Sequence, residues 1–379
     1  MIEPISAQLP TPQFDIHAPG RVNLLGEHVD YNEGIVLPAA IDRYVHLQAT
    51  PRSDTLVELT ALDLAQQISF DLRNFQTQQL PDWARYPAGV AWAAMQRGFS
   101  VSGIRAVFTS TVPIGAGLSS SAAVEVAFGA LWNELNGWGL NRLELAQLCQ
   151  KAENQFVGVN CGLMDQFASA CGVKDHALMF DTRSLEYQTV PLPPGSALVI
   201  ADSGVRRTLA GSAYNQRRAD CEEAVRLLQQ HLPSIRSLRD VSPEDFNRLA
   251  SHLPETVRQH ARHVVEEIHR VQKAVNFLKQ GDSRSFGELM LEGHASLRDL
   301  YQVSTPELDA LVEIASRLPG CLGARLTGAG FGGCTVNLVL EEATPTFSQL
   351  LAEEYRARTG KPVEIYICHA SEGVHLQKV

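Results

Sequence analysis

The most regular alternation of apolar and polar positions lies at 261–280, where Val264, Ile268, Val271, Val275 and Leu278 recur at spacings of four and three. That spacing puts them on one face of an α-helix, and Gly281 is placed to close it in a left-handed conformation. A charged stretch at 216–232 carries a weaker helical pattern. Residues 119–135 (SSSAAVEVAFGALWNEL) read as a helix, and another starts at Asn141, because Asn141 with Glu144 three residues on forms a capping-box pair. Strand periodicity is found elsewhere. Residues 103–111 (GIRAVFTST) read as a strand entering a glycine-rich turn at 113–117, and Leu198, Val199 and Ile200 as a short buried strand. Val363, Ile365 and Ile367 alternate with polar neighbours as on a half-buried strand. Helices and strands mix without a repeating unit. This predicts an α+β fold in two domains, divided near 195–210 after the proline-rich PLPPG at 191–195.

Composition narrows the function. The chain has 379 residues, 45 % apolar and 20 % charged, as in a globular protein with a sizeable core. A formal net charge of −10 argues against a general grip on the nucleic-acid backbone. It leaves room for a phosphate ligand held by backbone amides and a metal. No apolar run is long enough to span a bilayer, and the N-terminus MIEPISAQLP lacks the basic start and apolar stretch of a secretory signal. The seven cysteines are scattered and form no C-x-x-C pair, which points to a reducing compartment; a cytoplasmic location is expected.

Four segments carry candidate chemistry. The first is Pro113-Ile114-Gly115-Ala116-Gly117-Leu118-Ser119-Ser120-Ser121-Ala122-Ala123. Its two glycines allow a tight turn and close approach to a ligand, and its serines fall on the first turn of a helix, where free N–H groups and the helix dipole attract an anion. No G-K-[ST] follows, so it is not a Walker A loop, and an ordinary glycine turn with a serine cap fits as well. The second, residues 20–32 (GRVNLLGEHVDYN), packs Arg21, Asn23, Glu27, His28 and Asp30 among apolar residues, more like a strand edging a cleft than a solvated loop. Fixed carboxylates and amides are what a sugar site needs. The third, Gly328-Ala329-Gly330-Phe331-Gly332-Gly333, satisfies G-x-G-x-x-G but is followed by the strand-like CTVNLVL, which argues against a nicotinamide site and for a tight loop between strands. In the fourth, Asp165 sits among Leu163, Met164, Phe167 and Cys161. A carboxylate in such company is paired, functional or a helix cap.

Taken together, GRVNLLGEHVDYN, PIGAGLSSSAA at 113–123, CGLMDQF at 161–167 and RLTGAGFGGC at 325–334 resemble, in order, the motifs of the galactokinase branch of the GHMP small-molecule kinases. YNQRRADCEEA at 214–224 and HASLRDLYQVSTPELD at 294–309 agree with it. The resemblance implies an N-terminal ribosomal-protein-like α+β domain (1–200), a C-terminal ferredoxin-like domain (201–379) and an active site in the cleft between them. It implies ATP as co-substrate, Mg²⁺ as cofactor, and transfer of the γ-phosphate to the anomeric hydroxyl of galactose, the first committed step of galactose catabolism, by a monomer with no nucleic-acid or membrane partner. It also implies roles. Asp165 matches the catalytic acid and Arg21 its accompanying cation. Glu27, His28, Asp30, Gly162, Tyr214 and Asn160 match the sugar side. Pro113, Gly115, Ala116, Gly117, Leu118, Ser119, Ser120, Ser121 and Ala122 match the ATP loop, with Trp83 a looser match near the adenine. Ser120 or Ser121 with Glu153 match the magnesium ligands. Leu25 and Leu163 stand where the family usually has Ile, and Val29 where it often has Thr. A kinase for N-acetylgalactosamine is a rival reading, but Asp30-Tyr31-Asn32-Glu33-Gly34 resembles the galactose branch. A non-catalytic sugar sensor is another, but such sensors lack a Ser-Ala pair that Ser121-Ala122 supplies here.

Overall fold

The computed structural model describes residues 11–77, 79–206 and 210–379; the segment MIEPISAQLP lies outside them. A six-stranded sheet runs in the order His375–Lys378, Phe14–Asn23, Pro38–Pro51, Ile104–Ser110, Leu56–Ala61, Gln66–Asp71. Its strands are antiparallel except where Leu56–Ala61 lies parallel to Ile104–Ser110. Helices Ser120–Asn136 and Met164–Cys171 lie against its two longest strands, and Asp82–Gln96 and Arg142–Ala152 pack beside Ser120–Asn136. Phe128, Trp132 and Phe167 are fully buried in the core of that layer.

A four-stranded antiparallel sheet follows, in the order Cys321–Leu326, Cys334–Leu340, Ser196–Asp202, Glu364–Cys368. Numbered along the chain this is 2-3-1-4, with helices between its first and second and its third and fourth strands, which is the ferredoxin-like arrangement. The fold is therefore the expected α+β pair. A division at 200/201 falls inside the strand Ser196–Asp202, and the last strand, His375–Lys378, returns to pair with Phe14–Asn23. A small sheet pairs Ile35–Val36, from between the strands Phe14–Asn23 and Pro38–Pro51, with His176–Asp181 and Tyr187–Pro191, which precede the four-stranded sheet in sequence.

The predicted elements are present with shifted ends. The amphipathic helix is longer, Glu255–Gln280, because residues before 261 continue the buried stripe through Val257, and Gly281 closes it at φ 74°. The stretch at 216–232 lies within and beyond the helix Ala210–Leu228. The Asn141 cap carries both capping-box bonds, Glu144 N–H to Asn141 Oδ1 at 3.0 Å and Asn141 N–H to Glu144 Oε2 at 2.9 Å. In Glu364–Cys368 the alternation marks only one of two covered faces. Val363 and Ile365 pack on one side, Tyr366 and Cys368 on the other, and Ile367 is left 37 % exposed. Cysteines 149, 161, 171, 221, 321, 334 and 368 are free thiols. Among the described residues, no helix is long and apolar enough to cross a membrane.

Candidate active site

The site begins where the strand Phe14–Asn23 is irregular. Its pairing with Pro38–Pro51 shifts register between Pro19 and Arg21. A Cβ on Gly20 would stand 2.8 Å from Leu118 O, so glycine is what lets this strand touch the serine loop, and Arg21 N–H donates to that same carbonyl at 3.1 Å. The Arg21 side chain is buried and forks onto Asp165: Nε donates to Oδ1 and Nη2 to Oδ2, both at 2.9 Å, while Nη1 donates to Gly117 O at 2.6 Å. A planar fork on a carboxylate fixes the orientation of both groups.

The loop reaches the same carboxylate from the other side. Gly115 and Gly117 have φ of 73° and 83°, the conformation that favours glycine, and Ser119 is held at φ 60°. Ser119 precedes the helix Ser120–Asn136 but does not cap it; its hydroxyl donates to Asp165 Oδ2 at 2.5 Å instead. The N–H groups of the first helical turn are thereby left for another acceptor. Ala116, Leu118 and Ala122 are buried and anchor the loop, and Pro113 leads into it. Gly115, Gly117, Ser119, Ser120 and Ser121 line a cavity of about 580 Å³ that Asp165 and Arg21 also line.

The opposite wall holds the residues expected from the sequence to face a sugar. Glu27, His28, Asp30, Asn160, Gly162 and Tyr214 all line the cavity, with Asn160 exposed at its rim. The His28 and Tyr214 rings stand 5.3 Å apart, and His28 bonds the Tyr31 hydroxyl at 2.8 Å and Ala329 O at 3.0 Å through its two ring nitrogens. Ala329 brings in the third glycine segment, which is a tight loop between strands as expected and lines the cavity through Gly328 and Ala329. Thr327 fastens it to the second segment, accepting from Asn23 N–H at 2.9 Å and donating to Asn23 O at 3.1 Å. Glu27 is buried; one of its oxygens takes a bond from Arg325, and its Oε1 has no hydrogen-bond partner among the described residues. Gly162 makes room for Asp30, since a Cβ there would stand 1.8 Å from Asp30 Oδ2.

Beneath the serine loop lies an acidic group. Glu153 opens a single π-helical turn, Glu153–Val157, that ends at Gly158 (φ 88°). Glu125, on the serine-loop helix, is fully buried nearby, and the Gln166 amide donates to Glu125 Oε2 at 2.9 Å and to Glu153 Oε2 at 2.5 Å. Burial, then the charge of Asp165, raises Glu153 to about 7, while a Ser121 bond pulls it the other way. Burial and the Glu153 charge push Glu125 far above the usual carboxylate range. Asp30 is raised to about 6 by burial and by Asp165, and Glu27 to about 8 by burial against the opposing pull of Arg325.

Comparison with known proteins identifies the assembly. The galactokinase galactose-binding signature matches residues 8–51, the GHMP kinases N terminal domain 85–173, and the GHMP kinases C terminal model 274–356. The galactokinase of Roseiflexus sp. (strain RS-1) is 50 % identical over 363 residues, 96 % of this chain and 93 % of that one. The chain belongs to the galactokinase family. It is a sugar kinase built on the two-domain GHMP kinase fold. The crystal structure of Lactococcus lactis galactokinase complexed with galactose superposes with a TM-score of 0.91 at 36 % identity, covering 96 % of this chain and 95 % of that one. The Methanococcus jannaschii mevalonate kinase structure, at 18 % identity and a TM-score of 0.68 over 96 % of this chain and all of its own, shares the fold.

Within this galactokinase-family site, three residues were not read from the sequence. Glu125 lies within the helix read over 119–135, where a lone acid in the apolar run AAVEVAF calls for a buried partner. Arg325 opens the motif RLTGAGFGGC at 325–334, with no role assigned to it from the sequence. Arg206 lines the cavity, with its Cδ 3.8 Å from where a Gly115 Cβ would be, and donates to Asp202 Oδ1 at 2.8 Å. Conversely, Trp83 does not line the cavity: its indole N–H bonds Gln66 Oε1 at 2.5 Å and its ring packs on Phe108.

The raised carboxylates have a consequence for stability. A carboxylate whose folded value lies above its unfolded one keeps a proton that the unfolded chain has lost, so the stability it supports disappears as pH rises through the folded value. Glu153 at about 7 and Glu27 at about 8 set the window. Buried His260, His263 and His294 are held below the ordinary histidine value, chiefly by burial, so they are neutral in the folded chain, and their opposing effect on stability fades as the unfolded histidines lose their protons in the lower part of that window. The melting temperature of the metal-free protein is expected to fall between about pH 6.5 and about pH 8.5, with a smaller fall in Glu153→Gln. Thermal melts across that range check it; a flat or rising curve contradicts it.

Proposed function

We propose that this chain transfers the γ-phosphate of ATP to the anomeric hydroxyl of galactose, giving galactose 1-phosphate and ADP, in the first step of galactose catabolism. The observation that carries the reading is the position of Asp165, clamped by Arg21 and Ser119 where the glycine-serine loop meets the wall of Glu27, Asp30 and Gly162. Phosphoryl transfer asks a protein mainly for alignment and charge stabilisation. Asp165 orients the sugar hydroxyl and takes its proton. Arg21, held on both Asp165 and Gly117 O, faces the charge that builds on the transferred group. The helix start at Ser120 receives phosphate oxygens, and Arg206 adds a cation across the loop. Glu27 Oε1, Asp30, His28, Tyr214 and Asn160 read the sugar hydroxyls.

Magnesium fits the donor set. Glu153 and the Ser121 hydroxyl approach each other on the cavity wall beside Glu125, and a group of raised, crowded carboxylates is what a bound cation relieves. Glu153 with Ser121 or Ser120 would hold it. Bound there, Mg²⁺ neutralises triphosphate charge. We also propose a cytoplasmic monomer.

Gly162 supplies a sharp check on the sugar side. In Gly162→Ala the new methyl displaces the Asp30 carboxylate, so KM for galactose is expected to rise about tenfold or more, the worth of a lost hydrogen bond to a charged group. KM for ATP should stay within about twofold if this wall serves the sugar alone. Steady-state kinetics with each substrate varied decides it; a larger change for ATP would mean the walls are wrongly assigned. The function itself is tested by measuring ADP release with Mg-ATP and galactose, glucose or N-acetylgalactosamine in turn. Galactose should be preferred, and preference for another sugar would overturn the substrate.

A further inference from the structure

The outer face of the six-stranded sheet carries a group of side chains that phosphoryl transfer does not use. Phe14, Ile16 and Ala18 are buried on the inner face, so Asp15 and His17, alternating with them, point the other way. Strand register then sets His17 beside His46 on one neighbouring strand and His375 on the other. The three imidazoles form a row, His17 to His46 at 4.3 Å and 10° between planes, His17 to His375 at 4.9 Å and 7°.

Asp15 closes the group. Its Oδ1 lies 3.0 Å from His46 Nε2 and 3.3 Å from His17 Nδ1, and one donor atom from each of the three lies within 4.8 Å of the other two. Donors bound about 2.0–2.1 Å from one tetrahedral ion stand ~3.3 Å apart, which the two distances from Asp15 already match, while the stacked His17 and His46 rings have to tilt for their nitrogens to converge on a shared ion. Gln48 donates to the other Asp15 oxygen at 3.2 Å, a second-layer bond that orients the carboxylate with Oδ1 toward the rings. The side chains of His17, His46 and Asp15 are 31 %, 35 % and 15 % exposed, which leaves an entry path, freedom for the rings to tilt, and a coordination position open to water. Burial alone would raise Asp15, but bonds from His46 and Gln48 hold it below the usual carboxylate range.

We propose that Asp15, His17 and His46 form a site for a divalent transition ion of the zinc class, distinct from the magnesium position in the cleft. Two imidazoles and one carboxylate match the ligand preference of such an ion, whereas magnesium takes oxygen ligands in an octahedron. The site is six residues up the strand from Arg21, ~20 Å at strand rise. A bound ion ties the first strand to its neighbour beside the docking place of the C-terminal strand.

Purified full-length protein in excess Mg²⁺ is titrated with Zn²⁺ against a chromophoric chelator, and separately with Co²⁺ followed by its visible spectrum. One Zn²⁺ per chain is expected, with Co²⁺ bands of a low-coordinate nitrogen and oxygen site and a melting temperature raised by Zn²⁺. His17→Ala and His46→Ala should each weaken binding about tenfold or more, and the double variant should lose the spectrum while keeping kcat and KM with Mg-ATP. Failure of the protein to compete with the chelator, or a double variant that binds Zn²⁺ as tightly as the parent, would overturn the proposal.

Discussion

Replacing Asp165 by asparagine is expected to cut turnover by about three orders of magnitude while galactose and ATP still bind, the usual scale for losing a positioned proton acceptor. The reason lies in what the carboxylate touches. It accepts the Arg21 fork on both oxygens and the Ser119 hydroxyl on one, so it is fixed in place before any sugar arrives. Asparagine keeps the shape but cannot accept a proton, and it turns an N–H group toward one arm of the guanidinium. Since asparagine fills the same space and keeps an oxygen to accept the Ser119 hydroxyl, the helix start at Ser120 and the Glu27–Asp30 wall should stay in place, and binding measured by calorimetry should change little. Turnover within about tenfold of the parent would remove Asp165 from proton transfer.

The largest effect on stability is expected from Arg325→Met. Arg325 is completely buried, donates to Glu267 Oε1 at 3.0 Å through Nη1, and bonds Glu27 through Nη2. Glu267 is also buried, accepts Gly26 N–H at 2.8 Å and pairs with Arg270. Burial would raise Glu267, but Arg325 and Arg270 hold it well below the usual carboxylate range. Removing one partner of a buried ion pair leaves the other charge stranded, at a cost of about 3–5 kcal/mol. For a chain of this size that is a fall in melting temperature of ~5–10 °C. Because Glu27 then loses the cation that orients it, KM for galactose should rise in the same variant. A melting temperature within about 2 °C of the parent would show that the cluster adjusts more easily than its burial implies.

How much of this was legible in the sequence depends on the residue. The three glycine segments and Asp165 stood out because each breaks the periodicity around it. Their convergence did not, since Arg21 and Asp165 are 144 positions apart and only the folded sheet and helix bring them together. Ser119 was visible as a loop serine, but its bond to Asp165 depends on a left-handed backbone that no spacing signals. Glu267 could have been found: it follows Val264 by three and precedes Val271 by four, so it sits on the apolar face, where an acid needs a partner. The π-turn at Glu153 left no local trace in the spacing of apolar residues.

The most direct test of the account is where the phosphate ends up. With Mg-ATP and galactose as the only substrates, phosphorus and proton NMR of the reaction should show a single sugar product coupled at C1, formed at the rate ADP appears. Phosphate on C6, or ADP released with free phosphate alone, would mean that the carboxylate at 165 does not hold the anomeric hydroxyl in line with the nucleotide.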